Sequence, residues 1–202
     1  MRQPVVFRAR FGQALTIGIV AIAVTMVSLT VASDGIRALA PFVAPIALVC
    51  FATYALFWAP SVTVSDGGVE LRNVLRTVEL PWPSITGVET RYALTLETTF
   101  GRYTAWAAPA PGRHGALRTG FDTRGLSRDV TAGGAMRPGD DLSTESGQAA
   151  TIVRRYWDEL QRAGHLDNAR LESDKPRARW HAATIVTLVA LSAISALTLV
   201  FG

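Results

Sequence analysis

Residues 78–89 read VELPWPSITGVE and place a tryptophan between two prolines. The flanking residues alternate between apolar and polar side chains, as those of a half-buried β-strand do. Proline has no N–H for a sheet ladder and disfavours a helical backbone in the residue before it, so Pro81 and Pro83 predict the end of a strand. A simple surface turn would use Asn, Asp or Gly instead of Trp82. We therefore expect a structural corner whose indole packs against an apolar core.

This corner lies within residues 61–108, where short alternating segments predict five or six β-strands with no helix between them. A Ser-Asp-Gly-Gly turn at 65–68 separates the first two strands. After the corner, Ile85 and Val88 resume the apolar pattern and are expected to re-enter the core. Consecutive antiparallel strands of this kind close into a small barrel or sandwich, and we expect a small barrel.

Residues 148–164 predict one amphipathic helix after the strands. Apolar side chains recur there at the spacing of a single helical face: Ile152, Val153, Tyr156, Trp157 and Leu160. Such a face needs an apolar partner, and the open end of the predicted barrel would supply it. The intervening residues 109–147 are rich in Gly, Pro, Arg, Asp, Ser and Thr without any period, which predicts a flexible insertion.

Three uncharged apolar runs lie outside this domain, at residues 13–32, 38–58 and 182–202. Each has about 20 residues, which as a helix would span the roughly 30 Å hydrocarbon core of a bilayer. A buried core helix is the less favoured alternative, because a soluble domain of this size would not need three such runs. A signal peptide is also less favoured for the first run, since a second run follows almost at once. We expect three transmembrane helices, of which the first two form a hairpin.

Basic residues precede the first and third runs: Arg2, Arg8, Arg10, Lys175, Arg177 and Arg179. Cationic residues beside membrane helices stay on the cytoplasmic side. Trp58 ends the second apolar run, and Trp180 lies shortly before the third. Indole rings at such positions anchor at the membrane interface. The chain is thus predicted to be a multi-pass plasma-membrane protein whose N-terminus and residues 59–181 are cytoplasmic.

These patterns predict an α+β membrane protein with three transmembrane helices and a small antiparallel β-barrel capped by an amphipathic helix. The transmembrane hairpin would occupy residues 1–58. The cytoplasmic domain would occupy residues 59–164, with its insertion at 109–147. A linker at 165–181 would lead to the last transmembrane helix at 182–202.

A meander of strands followed by one amphipathic helix resembles the pleckstrin-homology (PH) fold. More specifically, residues 62–64, 68–73 and 78–88 are similar to bacterial PH domains of the low molecular weight protein antigen 6 type. In that family two membrane helices precede the domain, a strand ends in tryptophan, and isoleucine and valine follow at this spacing. The resemblance covers roughly residues 12–108 and, more loosely, the helix at 148–164. It implies the fold and leaves the function open, because folds host many functions.

The sequence does not indicate an active site. His114, His165 and His181 lie on three separate segments, and the single cysteine, Cys50, lies in an apolar run, so neither a zinc site nor a disulfide is predicted. No nucleophile elbow, phosphate-binding loop or zinc-protease motif occurs. We therefore expect a protein that is not an enzyme and that has no cofactor and no metal.

The net charge of +4 does not indicate a nucleic-acid partner, because six of the twenty basic residues flank the first and third apolar runs, where they orient a membrane protein. Two functions remain, and the oligomeric state stays open. The first is a membrane-tethered protein-interaction or scaffolding module with an unidentified protein partner. The second is anionic lipid headgroup binding by four arginines of the domain: Arg72, Arg76, Arg91 and Arg102. Glutamates interleave with these arginines on the same strands, and this mixed charge favours the first function.

Overall fold

The computed structural model describes residues 3–90, 93–109, 145–162 and 175–201. The N-terminal elements are β1 (Val5–Phe7), α1 (Arg10–Asp34), a 3₁₀ turn (Ile36–Leu39), and α2 (Val43–Thr53), which continues as a π-helical turn (Tyr54–Trp58). The strands that follow are β2 (Ser61–Ser65), β3 (Gly68–Arg72), β4 (Arg76–Pro81), β5 (Ile85–Glu89), β6 (Ala93–Thr98) and β7 (Gly101–Pro109), with a 3₁₀ turn (Trp82–Ser84) between β4 and β5. The last elements are α3 (Glu145–Arg162), β8 (Arg177–Trp180) and α4 (Ala182–Phe201).

The described residues fall into two compact units. The first, here called the β-unit, lies within Met1–Phe7, Ser61–Arg72 and Val78–Ala178. The second, here called the helical unit, lies within Arg8–Pro60, Asn73–Thr77 and Arg179–Gly202. The short turn between β3 and β4 therefore belongs with the apolar helices, whereas the N-terminal strand belongs with the sheets.

Two sheets replace the predicted closed barrel. One has the strand order β1-β2-β3-β4-β8 and the other the order β5-β6-β7. Among the described strands, no ladder joins the two sheets. Strand β7 instead lies against β2 and β3. The break falls at the Pro-Trp-Pro corner: β4 ends at Pro81, and β5 starts in the other sheet at Ile85. Proline lacks the N–H that a continuous ladder needs there.

The core of the β-unit comes from the alternating strand positions. Its fully buried side chains include Val62, Val64, Val69, Leu71, Val78, Leu80, Leu94 and Leu96. Helix α3 lies against β5, β6 and β7 and adds the buried residues Ala149, Ala150 and Val153. The predicted helix at 148–164 is therefore present, and it begins three residues earlier, at Glu145. Most of the predicted insertion, from 110 to 144, lies outside the described residues.

The prediction of three full-length membrane helices is wrong. In the described part of the chain, two helices are long and apolar enough to cross a membrane, α1 and α4. The second apolar run instead forms an 11-residue α-helix and a 5-residue π-helical turn, about 24 Å long at 1.5 Å per residue. Its two prolines explain the shorter length. Pro41 precedes the helix, and Pro45 lies in its first turn. Backbone N–H groups in the first turn have no acceptor within the helix, so proline is tolerated there.

Close packing between helices marks the start of α1. A Cβ atom added at Gly12 would lie 2.6 Å from the carbonyl oxygen of Phe57 in the π-helical turn. Thr16, one turn later, is also buried, and its hydroxyl donates to the Gly12 carbonyl at 2.9 Å. Small residues four apart allow this approach, as they do in membrane helix pairs. The third helix of the unit, α4, packs on α2, and Ser195 is its buried residue.

Two strands were not predicted from the sequence, and each leads directly into a long apolar helix. Strand β1 pairs antiparallel with β2, with Val5 opposite Val64 and Phe7 opposite Val62, and the chain enters α1 at Arg10. Strand β8 lies beside β4 and ends at Trp180, and α4 begins at Ala182. These strands form the two edges of the five-stranded sheet.

Candidate functional site

The four predicted arginine contacts lie in different settings. Arg72 ends β3 with an exposed side chain, and Arg76 begins β4 with a half-buried one. Arg102 is the second residue of β7, and its guanidinium Nη2 lies 2.7 Å from Glu97 Oε1 on the neighbouring strand. Arg91 lies outside the described residues. The Arg102 side chain is 71% exposed, so this pair adds little stability, yet it offsets the positive charge that a headgroup would need.

The predicted corner is a fixed joint of the β-unit. Trp82 is 2% exposed, and its Nε1–H donates to the carbonyl oxygen of Ser65 at 2.8 Å. Its ring also stacks on Tyr156 of α3, with centroids 6.2 Å apart and planes 4° from parallel. Around it, Pro81 and Pro83 are half-buried, Ile85 is buried, and Val88 packs against the core while partly exposed. The corner thus ties the β2–β3 turn to helix α3.

An open groove of about 370 Å³ lies beside this joint in the β-unit. Its rim and walls include Gly67, Gly68, Glu70, Glu79, Lys175 and Arg177. These residues come from the β2–β3 turn, from β3 and β4, and from the segment that enters β8. The groove therefore lies where three neighbouring strands of the larger sheet meet a turn.

Tight backbone packing shapes one wall of this groove. Ser65 Oγ–H donates to the Gly68 carbonyl at 3.1 Å, which closes the β2–β3 turn. At Gly68 the φ angle is +154°, and a Cβ atom there would collide with the carbonyl oxygen of Leu80. Only glycine lets the two backbones approach this closely. Because Trp82 bonds to Ser65, the corner and the turn hold each other in place.

The groove carries charges of both signs. Glu70 and Glu79 supply two carboxylates, while Lys175 and Arg177 supply two cationic groups. A phosphate ligand would meet two like charges here, at an electrostatic cost. A polypeptide segment with both acidic and basic side chains could match all four groups, and such complementarity sets partner choice and orientation.

A second group of side chains lies in the helical unit, where the β3–β4 turn contacts the start of α4. It contains Leu75, Arg76, Trp180 and His181, and is called here the turn cluster. The His181 backbone N–H donates to the Leu75 carbonyl at 2.8 Å. The His181 ring bonds the turn twice more: Nδ1 is 3.2 Å from the Val74 carbonyl oxygen, and Nε2 is 2.8 Å from Thr77 Oγ1.

The partners of His181 define the roles of its ring nitrogens. A carbonyl oxygen only accepts, so Nδ1 carries a proton and donates to Val74. Nε2 accepts from the Thr77 hydroxyl when the ring is neutral, and donates to the same oxygen when the ring is cationic. Both protonation states therefore keep the turn bound to α4.

The other members of the turn cluster present a mixed apolar and cationic surface. Trp180 is 63% exposed and Leu75 is 43% exposed. The guanidinium carbon of Arg76 lies 5.8 Å from the centroid of the Trp180 ring, within cation–π range. Trp58, the other predicted interface anchor, is half-buried at the end of the π-helical turn.

Residues 59–139 match the model of a family described as a bacterial PH domain. This part of the chain is similar to bacterial PH domains. The resemblance inferred from the sequence is confirmed, and the two antiparallel sheets with a C-terminal helix agree with it. The match covers less than half of the chain and leaves out both long apolar helices. No match was found among curated proteins or among solved structures.

Sequence reasoning singled out Arg76 and Trp180 separately, but it missed the groove and the contacts that bring these two residues together with Leu75 and His181. It assigned Lys175 and Arg177 to membrane orientation alone, and it treated His181 as an isolated histidine at the membrane edge. Within the described ranges, no three His, Cys, Asp or Glu side chains converge as a metal site would require. His114 and His165 lie outside those ranges.

Proposed function

We propose that this protein is an integral membrane protein that presents its PH domain at the cytoplasmic membrane surface as a protein-interaction or scaffolding module. The observation that carries the proposal is the mixed-charge groove. It offers two carboxylates and two cations beside a rigid turn, a combination that suits a polypeptide with charges of both signs.

The connections between strands and helices support the membrane placement. Strands β1 and β2 pair in one sheet. The segment between them, residues 8–60, therefore starts and ends on the same side of any membrane that it enters. Helix α1 is long enough to cross, so the chain returns between Gly35 and Trp58. The short apolar helix α2 and its π-helical turn lie within this returning segment.

The same reasoning applies to the C-terminal end. Strand β8 is part of the same sheet as β1, and it runs into α4 at Ala182. Both α1 and α4 therefore begin within three residues of the end of a strand of this sheet. Arg8 precedes α1 and Arg10 is its first residue, while Arg177 and Arg179 precede α4. Cationic residues at these ends favour the cytoplasmic side for the domain.

Crosslinking within the native membrane tests the interaction proposal. A photoreactive amino acid at Gly67, on the exposed rim of the groove, is expected to form a discrete protein adduct in the full-length chain. The matched control is the same group at Thr104, which is exposed on β7 away from the groove lining. Charge reversal by Glu70→Lys should abolish the adduct at 67, because one carboxylate of the groove is lost.

The control substitution for charge reversal is Arg102→Glu, since Arg102 does not line the groove. It should leave the adduct at 67 unchanged. Identical adducts at 67 and 104, or an adduct that survives Glu70→Lys, would contradict a specific groove. Adducts with lipid alone would instead favour headgroup binding.

A further inference from the structure

We propose that the turn cluster is a second membrane contact, in which Leu75 and Trp180 enter the headgroup layer and Arg76 binds a phospholipid phosphate. This inference rests on the proposed membrane placement of α4. Its partner is the bilayer in which that helix lies, and its ligand chemistry is the phosphodiester that every phospholipid headgroup carries.

Continuity with the apolar surface of α4 identifies the bilayer as the partner. Trp180 lies two positions before the first residue of α4, and it is 63% exposed. Along α4, Val186 and Val189 are 65% and 64% exposed, as lipid-facing residues of a membrane helix would be. Leu75 adds a second exposed apolar side chain from the turn that bonds to this helix start. Indole rings are favoured at the headgroup level, where one face is apolar and the other is wet.

Arg76 supplies the polar part of the contact. A guanidinium has several N–H donors in a planar fork and matches a phosphate with two parallel hydrogen bonds. The Trp180 ring lies 5.8 Å from the Arg76 guanidinium carbon, which places the cation beside the aromatic anchor. The long aliphatic stem of arginine also tolerates burial beneath a charged end. One site thus combines an apolar insert with a phosphate donor.

His181 makes the contact a fixed one. Its backbone N–H and both of its ring nitrogens bond to the segment 74–77, so the turn cannot leave the start of α4 without losing three hydrogen bonds. An unconstrained surface turn could hold Leu75 in water at little cost. A turn held to the helix end places Leu75 at the depth where the helix enters the bilayer.

Spin-label accessibility in the full-length protein, reconstituted in phosphatidylcholine vesicles, tests this contact. The native cysteine is removed by Cys50→Ala, and single labels are attached through Leu75→Cys, Gly67→Cys or Val189→Cys. Each label is exposed to oxygen, which partitions into lipid, and to a water-soluble nickel chelate. The label at 67, at the opposite end of β3, should report water, and the label at 189 should report lipid. The accessibility of each label to oxygen is divided by its accessibility to the nickel chelate. This ratio for the label at 75 should lie above the ratio at 67 and below the ratio at 189.

The three labels separate two failures. A label at 189 that reports water would overturn the membrane placement of α4, and the inference with it. A label at 189 that reports lipid, together with a label at 75 that matches the one at 67, would overturn the turn contact alone.

Two variants then test the named roles with the label at 75. His181→Ala should move the ratio at 75 toward the value at 67 while leaving the ratio at 189 unchanged, because the turn is released but α4 stays. Arg76→Gln should also lower the ratio at 75, whereas Arg102→Gln should not. An unchanged ratio with His181→Ala would overturn the role of His181 in holding the turn to α4. An unchanged ratio with Arg76→Gln would overturn the phosphate contact.

Discussion

Replacing Trp82 with alanine is expected to lower the free energy of unfolding of the β-unit by about 3–5 kcal/mol. The indole is 2% exposed, stacks on Tyr156 and donates a hydrogen bond to the Ser65 carbonyl. Truncation would leave a cavity between the sheets and α3 and would remove the indole hydrogen bond to the Ser65 carbonyl. The loss should be read from hydrogen exchange of the β2 and β6 amides in the full-length protein in detergent micelles.

Two variants separate the causes of this effect. Trp82→Phe keeps an aromatic ring beside Tyr156 and loses the N–H, so it should cost less, about 1–3 kcal/mol from the lost hydrogen bond to the Ser65 carbonyl. Trp106→Ala removes an indole that is 53% exposed, and its effect should be smaller still. Equal losses for Trp82→Ala and Trp106→Ala would refute the role of the corner as a structural joint.

Replacing Gly68 with alanine is expected to cost roughly 3 kcal/mol or more in the same measurement, as the sum of overpacking and backbone strain. The added Cβ would collide with the Leu80 carbonyl oxygen and lie 3.1 Å from the Pro81 Cα. Both are backbone atoms, and the proline ring stiffens the second, so neither can move aside easily. The φ of +154° at Gly68 adds strain for any residue with a side chain.

The neighbouring glycine provides the matched control. A Cβ added at Gly67 has no heavy atom within 4 Å, and its φ is not positive. Gly67→Ala should therefore be neutral, or stabilising by up to about 1 kcal/mol through the unfolded state. Equal losses in the free energy of unfolding for Gly67→Ala and Gly68→Ala would contradict this account. Gly68 would then not be needed for the close approach of β3 to β4.

The strands of the PH-like domain could be predicted because their signals are local. Alternation in residues 61–108 and the two prolines around Trp82 mark strand ends without reference to distant residues. How the strands group into sheets is a matter of long-range pairing, which alternation does not encode. For this reason a meander was predicted correctly, whereas its closure into a barrel was not.

The missed strands lack the local signals on which strand prediction depends. Strand β1 has three residues, Val-Val-Phe, and β8 has four, Arg-Ala-Arg-Trp, each too short to show a convincing period. Both become strands because a distant strand offers an open edge. Only the folded sheet reveals that the chain leaves it directly for α1 and α4.

The candidate sites were hidden for the same reason. His181 bonds to Thr77 and Val74 across separations of 104 and 107 residues. The groove joins a turn near residue 67 to cations at 175 and 177. The error in the second apolar run has a local cause: average hydropathy ignores the prolines, which delay the start of α2 until Val43.

The central claim is that the PH domain is held on the cytoplasmic face by helices that cross the membrane, and cysteine labelling tests it most directly. In the Cys50→Ala background, Gly67→Cys marks the domain and Arg37→Cys marks the segment between α1 and α2. A membrane-impermeant maleimide should label position 37 in intact cells and position 67 only in inverted membrane vesicles. Labelling of both positions from the same side, or of position 67 in intact cells, would contradict the account.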